Sequence, residues 1–406
     1  MNRALIITVG TGIGTDPEEA VRSLAHGIVT SIKASNPDHI VFIATADSQK
    51  STIPEIKNQY PQPSPSEIVL LRDMNDVNGV FETIKARARD LKKEGYDVVI
   101  DFTSGTKAMS AGAVLAATSE ALRMSYVTGD RSEGKVVKGG ERVLTYSPIM
   151  GIVEFQEKIV RELFNNYQYD PCLQLIKRIE DLISAPEVAE KVSKFKQLAE
   201  GYSLWDKFDH KNALERLRTF DNSLVNIEKN KKFLLRLEKN GFEDATLLLC
   251  DLLNNTKRRI EEGKYDDAVA RLYRIIERIA QMVLKTKYDI DTADVDLRTP
   301  KTSGKLEEET LLKYKRLGDG DAKIRLSLKK DYELLTDLGE EIGKRFSQDE
   351  SLRDLLQRRN NSILAHGLVP VRRAETERMF EKVKEYVELE IEESSRLREQ
   401  AAFPKL

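Results

Sequence analysis

At 406 residues the chain is too long for one ordinary hydrophobic core, and its length argues for two or three domains. Its 40% hydrophobic and 33% charged residues make a soluble globular balance, and 65 Lys+Arg against 67 Asp+Glu leave a net charge of −2, which excludes a polycation that grips nucleic acid by bulk charge. Two cysteines (Cys172 and Cys250) and 4 His exclude a disulfide framework, a cysteine zinc site and a His-rich metal cluster. No apolar run approaches the ~20 residues of a membrane span. The opening MNRALIITVGTG lacks the pattern of a secretion signal. These features predict a cytoplasmic protein with no metal, no cofactor and no membrane association.

The first ~150 residues alternate short apolar runs with helical stretches. Ala4–Val9 ends in Gly10-Thr11-Gly12, Ile40–Ala44 ends in Thr45-Ala46-Asp47, and Ile68–Leu71 follows the Pro61–Pro65 loop. Val98–Phe102 ends in Thr103-Ser104-Gly105-Thr106, and shorter runs follow at Ser125–Val127 and Val143–Tyr146. Helical patterns lie between them at Glu18–Ser35, Val77–Lys93 and Thr106–Leu122. Continuous apolarity is what strands buried on both faces show, so this is an α/β unit with a parallel, doubly wound, Rossmann-like sheet. Right-handed crossovers then set every strand's C-terminal end on one edge.

Beyond ~150, long amphipathic helices dominate and predict an all-α remainder. The pattern gives helices at Glu154–Asn166, Pro171–Ile183, Pro186–Leu204, Lys211–Glu238, Ala268–Leu284, Leu328–Gln357, Arg359–Leu364 and Glu375–Gln400. Asn240-Gly241 and Glu262-Gly263 read as helix-ending turns, and Asp289–Asp321 as a long loop or lid.

Two constellations carry chemistry. The first is the pair of strand ends, Gly10-Thr11-Gly12 and Thr103-Ser104-Gly105-Thr106-Lys107. Glycines allow close backbone approach, hydroxyls and helix N-termini supply donors, and Lys107 sets a cation where the helix dipole disfavours one, which points to an anionic partner. Neither segment is a dinucleotide fingerprint or a P-loop, and the plainer reading of each is a capped strand-to-helix turn. Both lie at one sheet edge, where open α/β sheets bind ligands, and this favours a phosphate-bearing ligand. The second constellation is Arg359-Asn360 with His366, seven residues beyond Arg359. On a helix, seven residues at about 100° each make two turns, so Arg359 and His366 would share a face. A histidine can move a proton near neutral pH, an arginine can hold a charged phosphate, and Asn360 can orient either. That set suits RNA cleavage through its own 2′-hydroxyl. The plainer reading is a surface arginine and a helix-ending histidine.

Other residues have blander expectations. His26 reads as structural or dimer-facing, His39 as solvated in a turn, and His210 as a helix-junction residue. Arg271, Arg274 and Arg278 share a helix face and pair with Asp267 and Glu277, or else form an RNA-phosphate track.

The strand end Asp101-Phe102-Thr103-Ser104-Gly105-Thr106-Lys107 resembles the CARF domain of CRISPR defence, and Arg359, Asn360 and His366 in a helical bundle resemble the motif of HEPN ribonucleases. Together, and in this order, they resemble the CARF–HEPN ancillary ribonucleases of type III CRISPR systems. The resemblance implies a CARF domain over 1–150, a helical connecting domain over 151–255 and a HEPN domain over 256–406. It implies that Gly10, Thr11, Gly12, Thr103, Ser104, Gly105, Thr106 and Lys107 bind cyclic oligoadenylate, tetra- or hexa-adenylate, as an allosteric activator. It also implies a homodimer that cuts single-stranded RNA at a composite site of Arg359, Asn360 and His366, and slow cleavage of the ring by the CARF domain, as some relatives perform. The rival reading is a non-catalytic sensor that recruits a partner or regulates transcription.

Overall fold

The structure, a computed structural model, describes residues 2–12, 14–61, 65–129, 131–132, 135–136, 140–182, 186–293, 295–296, 308–315, 323–324, 326–364 and 367–406. The chain divides into two compact units, residues 1–158 with 181–184, and residues 159–180 with 185–406.

In the first unit, β1 (Arg3–Val9), α1 (Pro17–Ser35), β2 (His39–Ala44), α2 (Ala46–Lys50), α3 (Thr52–Gln59) and β3 (Ser66–Leu70) build one half of the sheet. The other half consists of α4 (Val77–Lys93), β4 (Asp97–Asp101), α5 (Lys107–Ser119), β5 (Arg123–Thr128) and β6 (Arg142–Tyr146). Strand order is β3-β2-β1-β4-β5-β6. The first five strands are parallel. The sixth runs antiparallel on β5, so the expected all-parallel sheet is in fact mixed. Its attachment is aromatic: Phe102, Tyr126 and Tyr146 stack with centroids 5.4 and 5.8 Å apart.

The continuous apolar runs have the expected cause. Ala4 and Ile6 of β1 pack with Val41, Ile43, Ile100 and the helices α4 and α5 on one face. Leu5, Ile7 and Val9 pack with Ile40, Phe42 and the helices α1 and α3 on the other. Side chains alternate across the sheet, and both faces are covered. The order reverses direction between β1 and β4, so their C-terminal ends flank the switch-point crevice. His39 opens β2, part-buried against Tyr96, rather than lying solvated in a turn.

Among the described residues the remainder is mostly helical, with one two-residue strand pair, Val295–Asp296 with Lys323–Ile324. Helix α6 (Ile149–Asn165) runs across the division of the two units and is followed by α7 (Tyr169–Glu180), α8 (Pro186–Asp206), α9 (His210–Leu217) and α10 (Glu228–Lys239). Then come α11 (Ala245–Glu261), α12 (Tyr265–Tyr288), α13 (Glu308–Lys315), α14 (Leu328–Asp337), α15 (Glu341–Gln348), α16 (Glu350–Asn360), α17 (Arg373–Glu390) and α18 (Ser394–Gln400). Three expected long helices are broken. Lys211–Glu238 is interrupted where Asp221 accepts the Ser223 N–H at 3.0 Å and Asn222 turns left-handed at φ 60°. Leu328–Gln357 breaks at Gly339 (φ 83°) and again at Asp349, which caps the next helix through Leu352 N–H. Glu375–Gln400 breaks at Ile391, whose backbone is extended. The described part of Asp289–Asp321 is not all loop, because α13 lies in it and Tyr314 donates to Asp337 of α14 at 2.8 Å.

Trp205 centres the helical core. It stacks on Tyr202 and Phe233 and donates its Nε1–H to buried Asp251, which also holds His210 at 2.8 Å. His210 is therefore the helix-junction residue its position promised. Cys172 and Cys250 are buried free thiols, each pushed up to about 12 by burial.

Candidate functional site

The strand-end crevice is built by two loops that interlock. Gly10 packs so closely on the second loop that a Cβ there would lie 3.0 Å from the Gly105 Cα. The Gly10 N–H donates to Ser104 Oγ at 2.9 Å, Thr8 Oγ1 donates to the Ser104 carbonyl, and Thr52 Oγ1 donates to the Gly10 carbonyl at 2.7 Å. Gly105 holds φ 108°, a backbone that side chains avoid, so this turn needs glycine. Thr106 caps α5 by accepting the Met109 N–H at 3.2 Å, and it donates to the Met74 carbonyl at 2.9 Å, tying in the loop after β3. Thr103 Oγ1 accepts the Val127 N–H at 2.9 Å.

Beneath the loop lies Asp101, wholly buried at the end of β4. Its carboxylate accepts Ser31 Oγ at 2.5 Å, Ser125 Oγ at 2.8 Å and the Thr103 N–H at 2.9 Å. Burial raises its pKa against the pull of these bonds. Gly12 turns left-handed at φ 84°, where a Cβ would lie 2.6 Å from the Ala20 carbonyl oxygen, and the other seven residues singled out at this edge divide by task. Thr103, Ser104 and Thr106 use their hydroxyls to frame the loops, and Gly10 lets the loops touch. Thr11, Gly105 and Lys107 are exposed at the rim, with Lys107 at the first position of α5. An exposed cation beside a capped helix N-terminus favours an anion there.

The second region lies in the helical unit. Helix α16 ends at Asn360, and residues 361–364 are turns, so the two-turn helical spacing from Arg359 to residue 366 does not hold. His366 lies outside the described residues, as does the side chain of Arg358. The chain folds straight back: Gly367 N–H donates to the Ser362 carbonyl at 3.2 Å and Val369 N–H to the Asn361 carbonyl at 3.1 Å. A Cβ at Gly367 would lie 2.1 Å from the Asn361 carbonyl oxygen, so only glycine permits that return. Ile363, Leu364, Leu368 and Val369 are exposed around it.

Arg359 is fixed from α12. Its guanidinium lies 4.3 Å from the centroid of the Tyr273 ring, and Nη1 donates to Asn360 Oδ1 at 3.3 Å. Its Nε is buried without a hydrogen-bond partner among the described residues. A cavity of about 540 Å³ opens beside Asn360 and Tyr273, lined also by Lys313, Lys329, Arg353 and Gln357. On α14, Asp331 is wholly buried with neither oxygen hydrogen-bonded among the described residues. Burial, with Glu277 adding like charge, pushes its carboxyl up to about 7. Arg271 and Arg274 are tied down: Arg271 pairs with Asp267 and Asn255, and Arg274 with Glu277. That is the plainer of the two readings of this face. Tyr273 and Asp331 went unnoticed in the sequence because their significance comes from Arg359 and Glu277, far away along the chain.

A family model described as the Csm6 HEPN domain matches residues 237–390, and one described as the Csm6 6H domain matches residues 154–249. Together these matches span more than half of the chain. Among solved structures, the chain is similar to Enterococcus italicus Csm6 bound to cyclic hexa-2′-fluoro-hexa-dAMP, with TM-score 0.64 and 15% identity over 98% of this chain and 100% of that one. A type III CRISPR defence DNA nuclease activated by cyclic oligoadenylate matches at TM-score 0.26 and 14% identity, over 52% of this chain and 35% of that one, a likeness too slight to carry argument. No curated protein matches the chain in sequence.

Proposed function

The chain belongs to the Csm6-type CARF–HEPN proteins, ancillary nucleases of type III CRISPR systems, and on that premise we propose that it is an endoribonuclease for single-stranded RNA, needs no metal for the chemistry and is switched on by cyclic oligoadenylate. We assign sensing to residues 1–150, connection to 151–255 and catalysis to 256–406, the last joint running through the continuous helix α11. The observation that carries the reading is Arg359, inside the segment that matches a HEPN domain and braced on Tyr273, which with Asn360 lines a cavity.

In this mechanism the 2′-hydroxyl attacks the adjacent phosphorus and the P–O5′ bond breaks, leaving a 2′,3′-cyclic phosphate. Arg359 holds the charge that grows on the phosphoryl oxygens, Asn360 orients the arginine through its Oδ1, and His366 moves the proton between the two oxygens. The exposed apolar group at 363–364 and 368–369 supports a second copy packing there, so that two Arg–His sets meet as one site. At the strand-end crevice, Gly10, Thr11, Gly12 and the segment Thr103–Lys107 would take the ring, with Lys107 on a phosphate. Any slow ring cleavage falls to the exposed Thr11 and Lys107, because Ser104 and Thr106 already serve the loop frame.

The test is cleavage of a fluorophore–quencher RNA in excess chelator, with the protein alone and with cyclic tri-, tetra- or hexa-adenylate, beside His366→Ala. Cleavage with one ring size that His366→Ala abolishes is expected. Full activity in His366→Ala would refute the site, and binding of a ring without cleavage would leave a sensor rather than an enzyme.

A further inference from the structure

A cavity of about 420 Å³ lies between α11, α18 and the segment 402–405, and it shares no lining residue with the cavity at Asn360. Four cations line it: Lys257, Arg258, Arg398 and Lys405. Arg258 is only 4% exposed. Its Nε donates to Asp206 Oδ1 at 2.8 Å, and its guanidinium lies 3.7 Å from the centroid of the Phe403 ring. Yet its Nη2 is buried with no acceptor among the described residues. Arg398 Nε is in the same condition, although its Nη1 lies 3.8 Å from Glu388. A buried charged N–H without an acceptor is costly, and native proteins rarely leave two in one cavity.

The carboxylates nearby do not answer this need. Asp206 is shared between Arg258 and Arg259, Glu261 accepts the Tyr167 hydroxyl at 2.7 Å, and Glu399 pairs with Lys229. Burial lowers the Lys405 ammonium pKa, with Glu261 pulling it up and Arg258 pushing it down by a smaller amount. Arg258 lies over the ring of Phe403 and Lys405 over that of Tyr167, so a base stacking here would compete with a cation for each ring.

We propose that this cavity is a binding site for the phosphate group of a phosphate monoester, with Arg258 Nη2 and Arg398 Nε as donors and Lys257 and Lys405 supplying field. A dianionic tetrahedral oxyanion matches two guanidinium donors and the surplus charge better than a single carboxylate does. The monoester has two sources, a free nucleotide or the phosphorylated end of an RNA strand.

Calorimetric titration of the full chain with inorganic phosphate, with AMP, and with a short oligoribonucleotide bearing or lacking a 5′-phosphate tests this. Phosphate should bind, and Arg398→Gln and Lys405→Gln should each weaken it by roughly tenfold or more. Arg398→Gln should keep the wild-type melting curve, whereas Arg258→Gln leaves Asp206 with one partner fewer and Lys405→Gln loses a hydrogen bond to the Asn165 carbonyl, so those two are read beside their melting curves. Preference for AMP marks the free nucleotide, and dependence of oligonucleotide binding on the 5′-phosphate marks the RNA end. No binding of any of these by wild type, or binding indifferent to both substitutions, would overturn the proposal, because water would then be filling the cavity.

Discussion

Replacing Asp331 by Asn should stabilise the protein, and the gain should grow with pH. The carboxyl is wholly buried, unbonded among the described residues and faced by Glu277, so ionising it inside the protein is unfavourable. Raising a carboxyl from 3.8 to about 7, at about 1.36 kcal/mol per pH unit, corresponds to ~4 kcal/mol. Local relaxation and water entry bring that to ~2–4 kcal/mol. Between these two pH values the folded chain keeps a proton that the unfolded chain has already lost. The group's contribution is therefore fully present below pH ~4 and lost as pH rises through 7. Asn has nearly the same shape and does not titrate. The part of this contribution that falls above pH 5 is ~1–3 kcal/mol, so the melting temperature of Asp331→Asn relative to wild type should rise by roughly 2–6 °C between pH 5 and pH 8.5. Circular dichroism melts across that range measure it. An offset that stays constant with pH would refute the reasoning, because the carboxyl would then not be titrating in this window.

Lys107→Ala should weaken activator binding about 10–100-fold, the worth of a charge-assisted hydrogen bond, and move the RNA-cleavage dose–response to higher activator while leaving its plateau in place. Tyr273→Leu removes the ring under Arg359, worth ~0.5–2 kcal/mol. In single-turnover assays it should slow cleavage about 2–30-fold with RNA affinity little changed, and Tyr273→Phe should restore most of the rate. Ile363→Asp combined with Leu368→Asp charges the exposed turn after α16. Light scattering should then show a weakened dimer, with RNA cleavage lost and activator binding kept.

The sheet was readable because both of its faces are covered: runs such as Ala4–Val9 have no polar side to confuse the period, and the strand ends carry glycine and hydroxyl residues. Its antiparallel edge was not readable, since direction depends on the connection from β5 to Arg142–Tyr146 rather than on the residues of that strand. Helix breaks were missed for a similar reason. Asp221-Asn222-Ser223 reads as an exposed helical stretch until the side chain of Asp221 is seen to take a backbone N–H two residues on. At the strand-end site the residues were legible and their division of labour was not. Three hydroxyls in a short stretch look alike in sequence, and only the positions of Gly10, Val127 and Met74 reveal what each one holds. In the helical unit, the step from Arg359 onward was read with helical geometry. The chain instead doubles back at Gly367, a residue whose need for space against Asn361 is a tertiary fact.

The contact between Gly10 and Gly105 makes the rim of the crevice a single moving part. With no side chain between them and a hydrogen bond from Gly10 to Ser104, the loops after β1 and β4 have nothing to slide on. Thr106 joins the loop after β3 to the same body through Met74. A push on any one of the three is therefore delivered to all three, and the rim yields as one lip or not at all. Anyone wishing to widen it for a larger ligand would have to rebuild the loops together, since a side chain added at Gly10 wedges the other loop away before it alters the opening.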